Sequence, residues 1–273
     1  MTCFTCLVYP AGYFSYGTDK TNGQPKMKTN KPIHHYGAEF NTSAADIIVP
    51  YITGIFHPTS VVDIGCGIGT WLKVFENNGI TDMLGIDGHH VSDSGQLLIP
   101  ADKFVATDLN TIDHKRFDRK FDLAICLEVA EHLQEAYADN LVNTLCSFSD
   151  VMLFSAAIPG QTGENHVNEQ YPTYWAKKFL QHNYVFVDLI RPKFWNSPEV
   201  EWWYRQNAFV VVKRSVAETF HFTPWDEKVY VIKEMLEMYT SGSVKYINSV
   251  PSKTLFNLLV DRLGSKIRRH VKS

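Results

Sequence analysis

The chain has 273 residues, 45% hydrophobic and 20% charged, enough for one large domain with a sizeable core, with or without appendages. Its formal charge of −3 gives no electrostatic reason to expect nucleic acid as a partner. Five cysteines (Cys3, Cys6, Cys66, Cys126 and Cys146) are an odd number, and three lie in apolar segments, which suits buried thiols in a reducing compartment better than a disulfide framework.

The opening stretch MTCFTCLVYPAGYF has neither a basic leader nor a long apolar run, so no signal peptide is expected. Its C-x-x-C has no second pair and makes a poor zinc signature. No apolar run long enough to span a membrane occurs, and a cytoplasmic location is expected, with contact at the inner membrane face as a variant considered below. Residues 18–35 are polar and rich in Lys and Asn, and read as an arm or cover that orders on binding. With a short helical pattern at Ala44–Ile55 they form an N-terminal arm and cover helix over residues 1–57.

A regular rhythm follows over residues 58–213. Strand-like apolar runs fall at Ser60–Ile64, Asp82–Ile86, Lys103–Ala106, Phe121–Cys126 and Val151–Ser155, with helical patterns between several of them. After Glu128, the residues Val129, Leu133, Tyr137, Leu141 and Leu145 recur every four positions and predict one helix with a single apolar stripe. Strands alternating with helices imply a parallel sheet with helices on both faces. Beyond Ser155 come a polar insertion (157–172), a helix expected at Pro172–His182, a strand at Tyr184–Ile190, an aromatic insertion (191–206) and a last strand at Ala208–Lys213. Residues 214–273 read as a helical tail, with patterns at Trp225–Tyr239 and Ser252–Val271.

The first strand runs into VVDIGCGIGTW. Gly65, Gly67 and Gly69 stand at every second position, and Thr70 occupies the place where G-x-G-x-x-G would need its last glycine. A dinucleotide loop presents amides to a diphosphate. Asp63, closing the strand beside the loop, would repel a diphosphate and suits a ligand with positive charge, such as S-adenosylmethionine (SAM). Further acids follow at Asp87, Asp108 and Glu128, at intervals of 24, 21 and 20 residues, about one strand–helix unit each. Four acids at successive strand ends would line one crevice beyond the carboxyl edge of the sheet. Taken singly, each is also a common helix cap or turn former.

VVDIGCGIG, LGIDG, ATDL and FDLAICLEVAEHL together resemble the class I SAM-dependent methyltransferases over roughly residues 58–213. That resemblance implies a Rossmann-like α/β fold with a mostly parallel seven-stranded sheet and an antiparallel last strand. It assigns SAM binding to Asp63, Gly65, Gly67, Gly69, Asp87 and Asp108, with Leu109 as an adenine contact and Glu128 at the donor crevice. LLIPADKF, SAAIPGQTGENHVNEQYPTYW and VEWWYRQN are similar to the subgroup found with bacterial polysaccharide and surface-glycan synthesis.

The loop after the fifth strand offers Gln161, Glu164, Asn165, His166, Asn168, Glu169 and Gln170, with aromatic faces at Tyr171, Tyr174 and Trp175. Amides and carboxylates beside aromatic faces suit a sugar, and Trp202, Trp203 and Tyr204 would complete the wall. Packing of the insertion against the sheet is the plain alternative for these tryptophans. Methyl transfer to a hydroxyl needs alignment and a base. Two of the eleven histidines are placed for that role: His166 in the polar loop, read as a mobile lid, and His132, read as lying four residues after Glu128 on one helix face. No His, Cys or Asp cluster shows metal-ligand spacing along the chain, so a metal-free reaction is expected.

The tail pattern of Phe256, Leu259, Leu263, Ile267 and Val271 with six Lys and Arg residues is a basic amphipathic helix. Packing on the domain or on a second copy is favoured over a membrane surface. The leading reading is O-methylation of a sugar hydroxyl on a glycan or nucleotide-sugar precursor. The alternatives are a natural-product O- or N-methyltransferase and a non-enzymatic SAM-binding partner subunit. An NAD-dependent enzyme is disfavoured by Asp63 and by the glycine spacing.

Overall fold

The structure, a computed structural model, describes residues 41–238. Seven strands form one sheet in the order β3-β2-β1-β4-β5-β7-β6. They are β1 (Ser60–Ile64), β2 (Asp82–Asp87), β3 (Phe104–Ala106), β4 (Leu123–Leu127), β5 (Val151–Ser155), β6 (Tyr184–Val187) and β7 (Phe209–Lys213). All neighbours pair in parallel except β7, which runs antiparallel to both β5 and β6. This is the expected sheet with its antiparallel last strand, inserted between β5 and β6.

β1 and β4 are buried at every residue. A central parallel strand covered on both faces has no solvent side, so SVVDI and LAICL read as continuous runs rather than as alternations. The helices flanking the sheet are α1 (Ser43–Phe56), α2 (Thr70–Asn77), α3 (His89–Asp93), α4 (Ala138–Phe148), α5 (Pro172–Gln181), α6 (Arg191–Phe194), α7 (Trp202–Asn207) and α8 (Arg214–Thr219). α1 buries Ala44, Ala45, Ile48, Val49 and Ile52, an i, i+4 face. α5 starts on Pro172, whose missing N–H costs nothing in a first turn. Leu141, Leu145 and Phe148 of α4 and Trp175 and Phe179 of α5 join Val62, Ile86, Phe154 and Phe209 in one core cluster.

Two expectations fail. The single helix after Glu128 is instead a 3-10 turn at Ala130–His132, an extended Leu133, a second 3-10 turn at Glu135–Tyr137, and only then α4. The four-residue repeat of apolar positions survives because Val129, Leu133, Leu141 and Leu145 still join the core, although not from one helix, while Tyr137 is half-buried. Residues 223–232 are not helical either: Trp225 donates its backbone N–H to Phe186 O and packs its ring on Phe209, at 4.8 Å between centroids. Residues 231–238 fall in a separate compact unit, helical from 233 to 238. The arm at 18–35, Cys3, Cys6 and the basic helix at Ser252–Val271 lie outside the described residues. Cys66 and Cys126 are buried and Cys146 is half-buried, and no helix of the described residues is long and apolar enough to cross a membrane.

Candidate functional site

The strand order reverses direction between β1 and β4, which opens a crevice at the carboxyl edge of the sheet. One side of it is built by β1 and β2. Gly65, Gly67 and Gly69 all have left-handed backbone, with φ of 80°, 52° and 91°. The amides of Gly65 and Cys66 bond back to Ile86 O at 2.8 and 3.3 Å, strapping the loop to the end of β2. A side chain on Gly65 would meet Val129 Cγ2 at 2.3 Å, so the loop touches the segment that follows β4. A side chain on Gly67 would meet nothing within 4 Å: this glycine serves its backbone angle and leaves an open side to the loop.

Asp87 closes β2 and braces the same loop. Its Oδ2 accepts from Gly67 N at 2.7 Å and its Oδ1 from Gly88 N at 2.6 Å. Asp63 and Asp87 are both buried, at 4% and 8% exposure, and sit at adjacent strand ends. Burial, then the neighbouring charge of Asp87, holds the Asp63 carboxyl well above the usual carboxylate range. A positive charge in the crevice would offset these effects, so this pair fits a ligand that carries cationic groups.

The third acid departs from expectation. Asp108 is exposed, and its Oδ1 accepts from the backbone and side-chain nitrogens of Asn110, both at 2.9 Å, a turn-forming role. The side chain of Leu109, expected against adenine, is taken up by the core with Ile112 and Phe121.

The other side of the crevice follows β4 and β5. Glu128 leaves β4 with φ of 54°, uncommon for a residue with a side chain. Its carboxylate is buried and held by Gln161 Nε2 at 2.8 Å and by Asn207 Nδ2 at 3.2 and 3.3 Å, and Asn207 also donates to Gln161 Oε1 at 2.8 Å. Desolvation pushes Glu128 upward against these bonds. Three distant segments are therefore tied at one carboxylate. Glu128 is a structural anchor of the loop as well as a crevice acid.

The loop after β5 is a hydrogen-bonded clasp, which corrects the reading of a free lid. Glu169 accepts from Gly160 N at 2.8 Å, Thr162 N at 2.7 Å and His166 Nδ1 at 2.9 Å. Val167 N and Asn168 N bond to Glu131 O at 2.9 and 3.0 Å. Gly163 gives space rather than motion, since a Cβ there would lie 2.2 Å from His166 Nε2. Because a carboxylate only accepts, the bond to Glu169 places a proton on Nδ1, so that in the neutral ring the lone pair is on Nε2.

His166 packs edge-on against His132, with ring centroids 4.8 Å apart. His132 sits in the 3-10 turn and not on a helix face shared with Glu128. Burial, with His166 adding to it, pushes His132 down to about 4, so it is neutral near pH 7 and a weak base. Glu131 beside it is fully buried, and neither of its oxygens has a hydrogen-bond partner of normal geometry. One ligand atom each from Glu131, His132 and His166 lie within 4.8 Å of one another. Spacing along the chain did not show this group, because one member is contributed by a different loop.

The expected acceptor residues divide. Glu164 and Asn165 are exposed on the loop, and Tyr174 is half-buried with Lys178 Nζ 4.9 Å from its ring centre. Asn168 is buried, its Oδ1 taking a bond from Gln170 at 3.1 Å, and Glu169 is committed to the clasp. Trp175 is 1% exposed and packs on Phe154 in the core. Trp202 and Trp203 are buried against each other in α7. Trp203 lines a small cavity with Asn41, Trp71 and Glu201, away from the loop after β5 in sequence, and none of the three presents an exposed ring. Asn207 and Glu131 are site residues that sequence reasoning did not single out, and Gln161, expected among the acceptor contacts, is buried and bonded to Glu128. Glu131 stood in the quoted EVAEH, three residues after Glu128, but without a partner nearby in sequence nothing marked it.

The model of a family described as "Methyltransferase domain" matches residues 33–214. No curated protein matches the sequence. Solved structures of similar fold include an O-methyltransferase family protein from Burkholderia thailandensis, at 12% identity, 61% of this chain, 55% of its own and a TM-score of 0.43. Another is the glycopeptide N-methyltransferase MtfA complexed with S-adenosylhomocysteine, at 12% identity, 63% and 88% coverage and a TM-score of 0.46. A third is SAM-bound CalS10, an amino pentose methyltransferase from Micromonospora echinaspora, at 15% identity, 65% and 92% coverage and a TM-score of 0.47. The chain spans about half the length of the first of these structures. The match covers more than half of the chain and includes the glycine loop, Asp63, Asp87 and the EVAEH turn; the chain belongs to the methyltransferase-domain family.

Proposed function

We propose that the chain methylates a hydroxyl of a sugar on a glycan or nucleotide-sugar precursor. The observation that carries this reading is the polar loop after β5, where Glu164 and Asn165 are exposed beside the clasped His166, on the side that the Gly65–Val129 contact joins to the donor loop. SAM supplies a methyl group on a sulfonium, and the residues that would hold it are the Gly65–Gly69 loop, Asp63 and Asp87. Asp87 is the group suited to accept from ribose hydroxyls.

On the acceptor side the task is to orient a hydroxyl and remove its proton. As the methyl carbon bonds to the acceptor oxygen and leaves sulfur, the hydroxyl proton must go to a base. His166 is the candidate, with its Nδ1 proton fixed by Glu169 and Nε2 as its lone-pair nitrogen. His132, held near 4, is the weaker candidate. Exposed Glu164 and Asn165 supply polar contacts that a hydroxyl-rich acceptor would satisfy. The buried tryptophans remove the stacking wall from the argument, so the sugar reading rests on the polar loop.

The test is a methyl-transfer screen with isotopically labelled SAM against nucleotide sugars, oligosaccharides, phenols and amines, read by mass. Label on a sugar oxygen is expected. Label confined to phenols or amines would move the assignment to small-molecule chemistry, and binding of S-adenosylhomocysteine with no transfer to any acceptor class would favour a partner subunit.

A further inference from the structure

We propose that Glu131, His132 and His166 form a divalent metal site with one carboxylate and two imidazole ligands. Three observations bring them together. Their ligand atoms already lie within 4.8 Å of one another. A bound ion at about 2.0–2.2 Å from each would need them roughly 3–3.5 Å apart, a closure of about 1–2 Å by side-chain rotation. No hydrogen bond of normal geometry holds either oxygen of Glu131, although the backbone amides of Glu131 and Ala157 lie close enough to favour its charged form.

The second observation is the state of Glu131 itself. It is fully buried, with the carboxylates of Glu128 and Glu169 nearby. A buried carboxylate in that setting must be neutralised, either by a proton or by a cation. Glu128 is already saturated by Gln161 and Asn207. Glu131 is not, and its neighbours are two imidazoles.

The third observation is the outer shell. His166 donates Nδ1–H to Glu169, an arrangement that fixes the ring and raises the basicity of the other nitrogen, as it does for histidines that ligate metals. Glu169 is fixed in turn by the amides of Gly160 and Thr162. Gly163 lets the His166 ring lie against the loop where any side chain would collide with it.

Two imidazoles and one carboxylate favour Mn²⁺, Fe²⁺, Co²⁺ or Zn²⁺ over Mg²⁺ or Ca²⁺, which prefer an all-oxygen shell. Three protein ligands leave positions open for an acceptor oxygen. There the ion would lower the pKa of the hydroxyl, whose proton then leaves to solvent as the methyl group bonds to oxygen. His166 would serve as a ligand in that state and would not take the proton. This last step rests on the proposed methylation of a hydroxyl; ion binding does not.

The experiment uses the full chain without added histidines, stripped with a chelator. Co²⁺ is titrated by its visible absorption and Mn²⁺ by its free-ion paramagnetic signal, with Mg²⁺ as control. About one Co²⁺ or Mn²⁺ per chain is expected, with a melting temperature that rises with excess ion. Glu131→Gln keeps the shape of the side chain and should weaken the ion about ten-fold or more, as should His166→Asn. S-adenosylhomocysteine affinity measured on the same variants reports whether the fold persists. The absence of a stoichiometric ion overturns the site, as does an ion whose affinity both variants leave unchanged while binding S-adenosylhomocysteine normally. If the ion binds and no acceptor is methylated in its presence, the site stands and the proposed function fails.

Discussion

The two sides of the crevice obtain unusual backbone in different ways. On the donor side the left-handed residues are Gly65, Gly67 and Gly69. On the acceptor side they are Glu128, Thr162 and Asn165, which carry side chains and adopt that region at a cost of order 1 kcal/mol or more each. Glycine does this without help. Glu128 does it while its carboxylate is anchored by Gln161 and Asn207, and Thr162 while its amide is held by Glu169. The donor side is thus a backbone device, set by local sequence. The acceptor side is a side-chain network drawn from three segments, and it can be broken at points far apart in the chain.

The largest effect expected from breaking the acceptor side is kinetic. Whether His166 takes the acceptor proton or holds an ion that acidifies the hydroxyl, His166→Ala should lower turnover by about 10²–10⁴-fold. His166→Gln should be nearly as slow. Affinity for S-adenosylhomocysteine should stay within about two-fold for both, because the Asp87–Gly67 bond lies on the other side of the crevice. Near-parental turnover of the Gln variant would leave His166 with a positioning role only.

Breaking the donor side should show in binding instead. Asp87→Ala removes the acceptor that braces Gly67 and Gly88 and, on the reading above, the ribose contact. Each charge-assisted bond contributes about 1.5–3 kcal/mol, so calorimetry should show affinity for S-adenosylhomocysteine falling roughly ten- to hundred-fold or more. A constant within two-fold of the parent would remove Asp87 from the donor site.

These contrasts explain what could be read from the sequence. The strands were legible because β1 and β4, buried on both faces, spell unbroken apolar runs, and because Asp63 and Asp87 close their strands in phase with the glycines. The turn after Glu128 was not. Val129, Leu133 and Tyr137 keep helical spacing, but Glu131 O is taken by Val167 N and Asn168 N from the loop, a long-range bond that no local pattern announces. Trp175 looked like a binding face because aromatic residues in a polar stretch suggest one; its place in the α5 stripe with Phe179, four residues on, was the better guide. The Glu131–His132–His166 group escaped for the same reason as the Glu128–Gln161–Asn207 group: its members meet only after β5 returns beside β4.

The seam between the two sides should respond unequally to one added methyl group. Gly65→Ala meets both a φ of 80° and Val129 Cγ2 at 2.3 Å, so backbone strain and overpacking add. A loss of about 2–4 kcal/mol is expected from denaturant unfolding. Gly67→Ala has the backbone strain but open space, and should lose about 1–2 kcal/mol. Equal losses at the two positions would mean that the loop does not press on the EVAEH segment, and the seam that joins donor and acceptor sides would be lost from the argument.

The smallest effect concerns the opposite edge of the same two strands, and serves as the control for all of these. Asp122, just before β4, accepts through Oδ2 from Thr59 N at 2.8 Å, Thr59 Oγ1 at 2.6 Å and Ser60 N at 3.1 Å, and so ties β4 to β1 away from the crevice. The Thr59 side-chain bond, with the backbone bond after it, holds the Asp122 carboxyl below its usual range. A carboxyl whose folded value lies below its unfolded one stabilises the fold above the unfolded value, near 3.9, and loses that contribution as pH falls through the folded value. Asp122→Asn keeps an acceptor oxygen but no charge. Because the group is exposed, solvent screening holds the loss at pH 7 to roughly 1 kcal/mol or less. The gap between parent and variant, followed by denaturant melts from pH 7 to pH 2.5, should narrow below about pH 4 and close at the acid end. Donor affinity and turnover should not move. A gap that stays constant with pH would show that the charge on Asp122 contributes nothing, and that the tie works through its geometry alone.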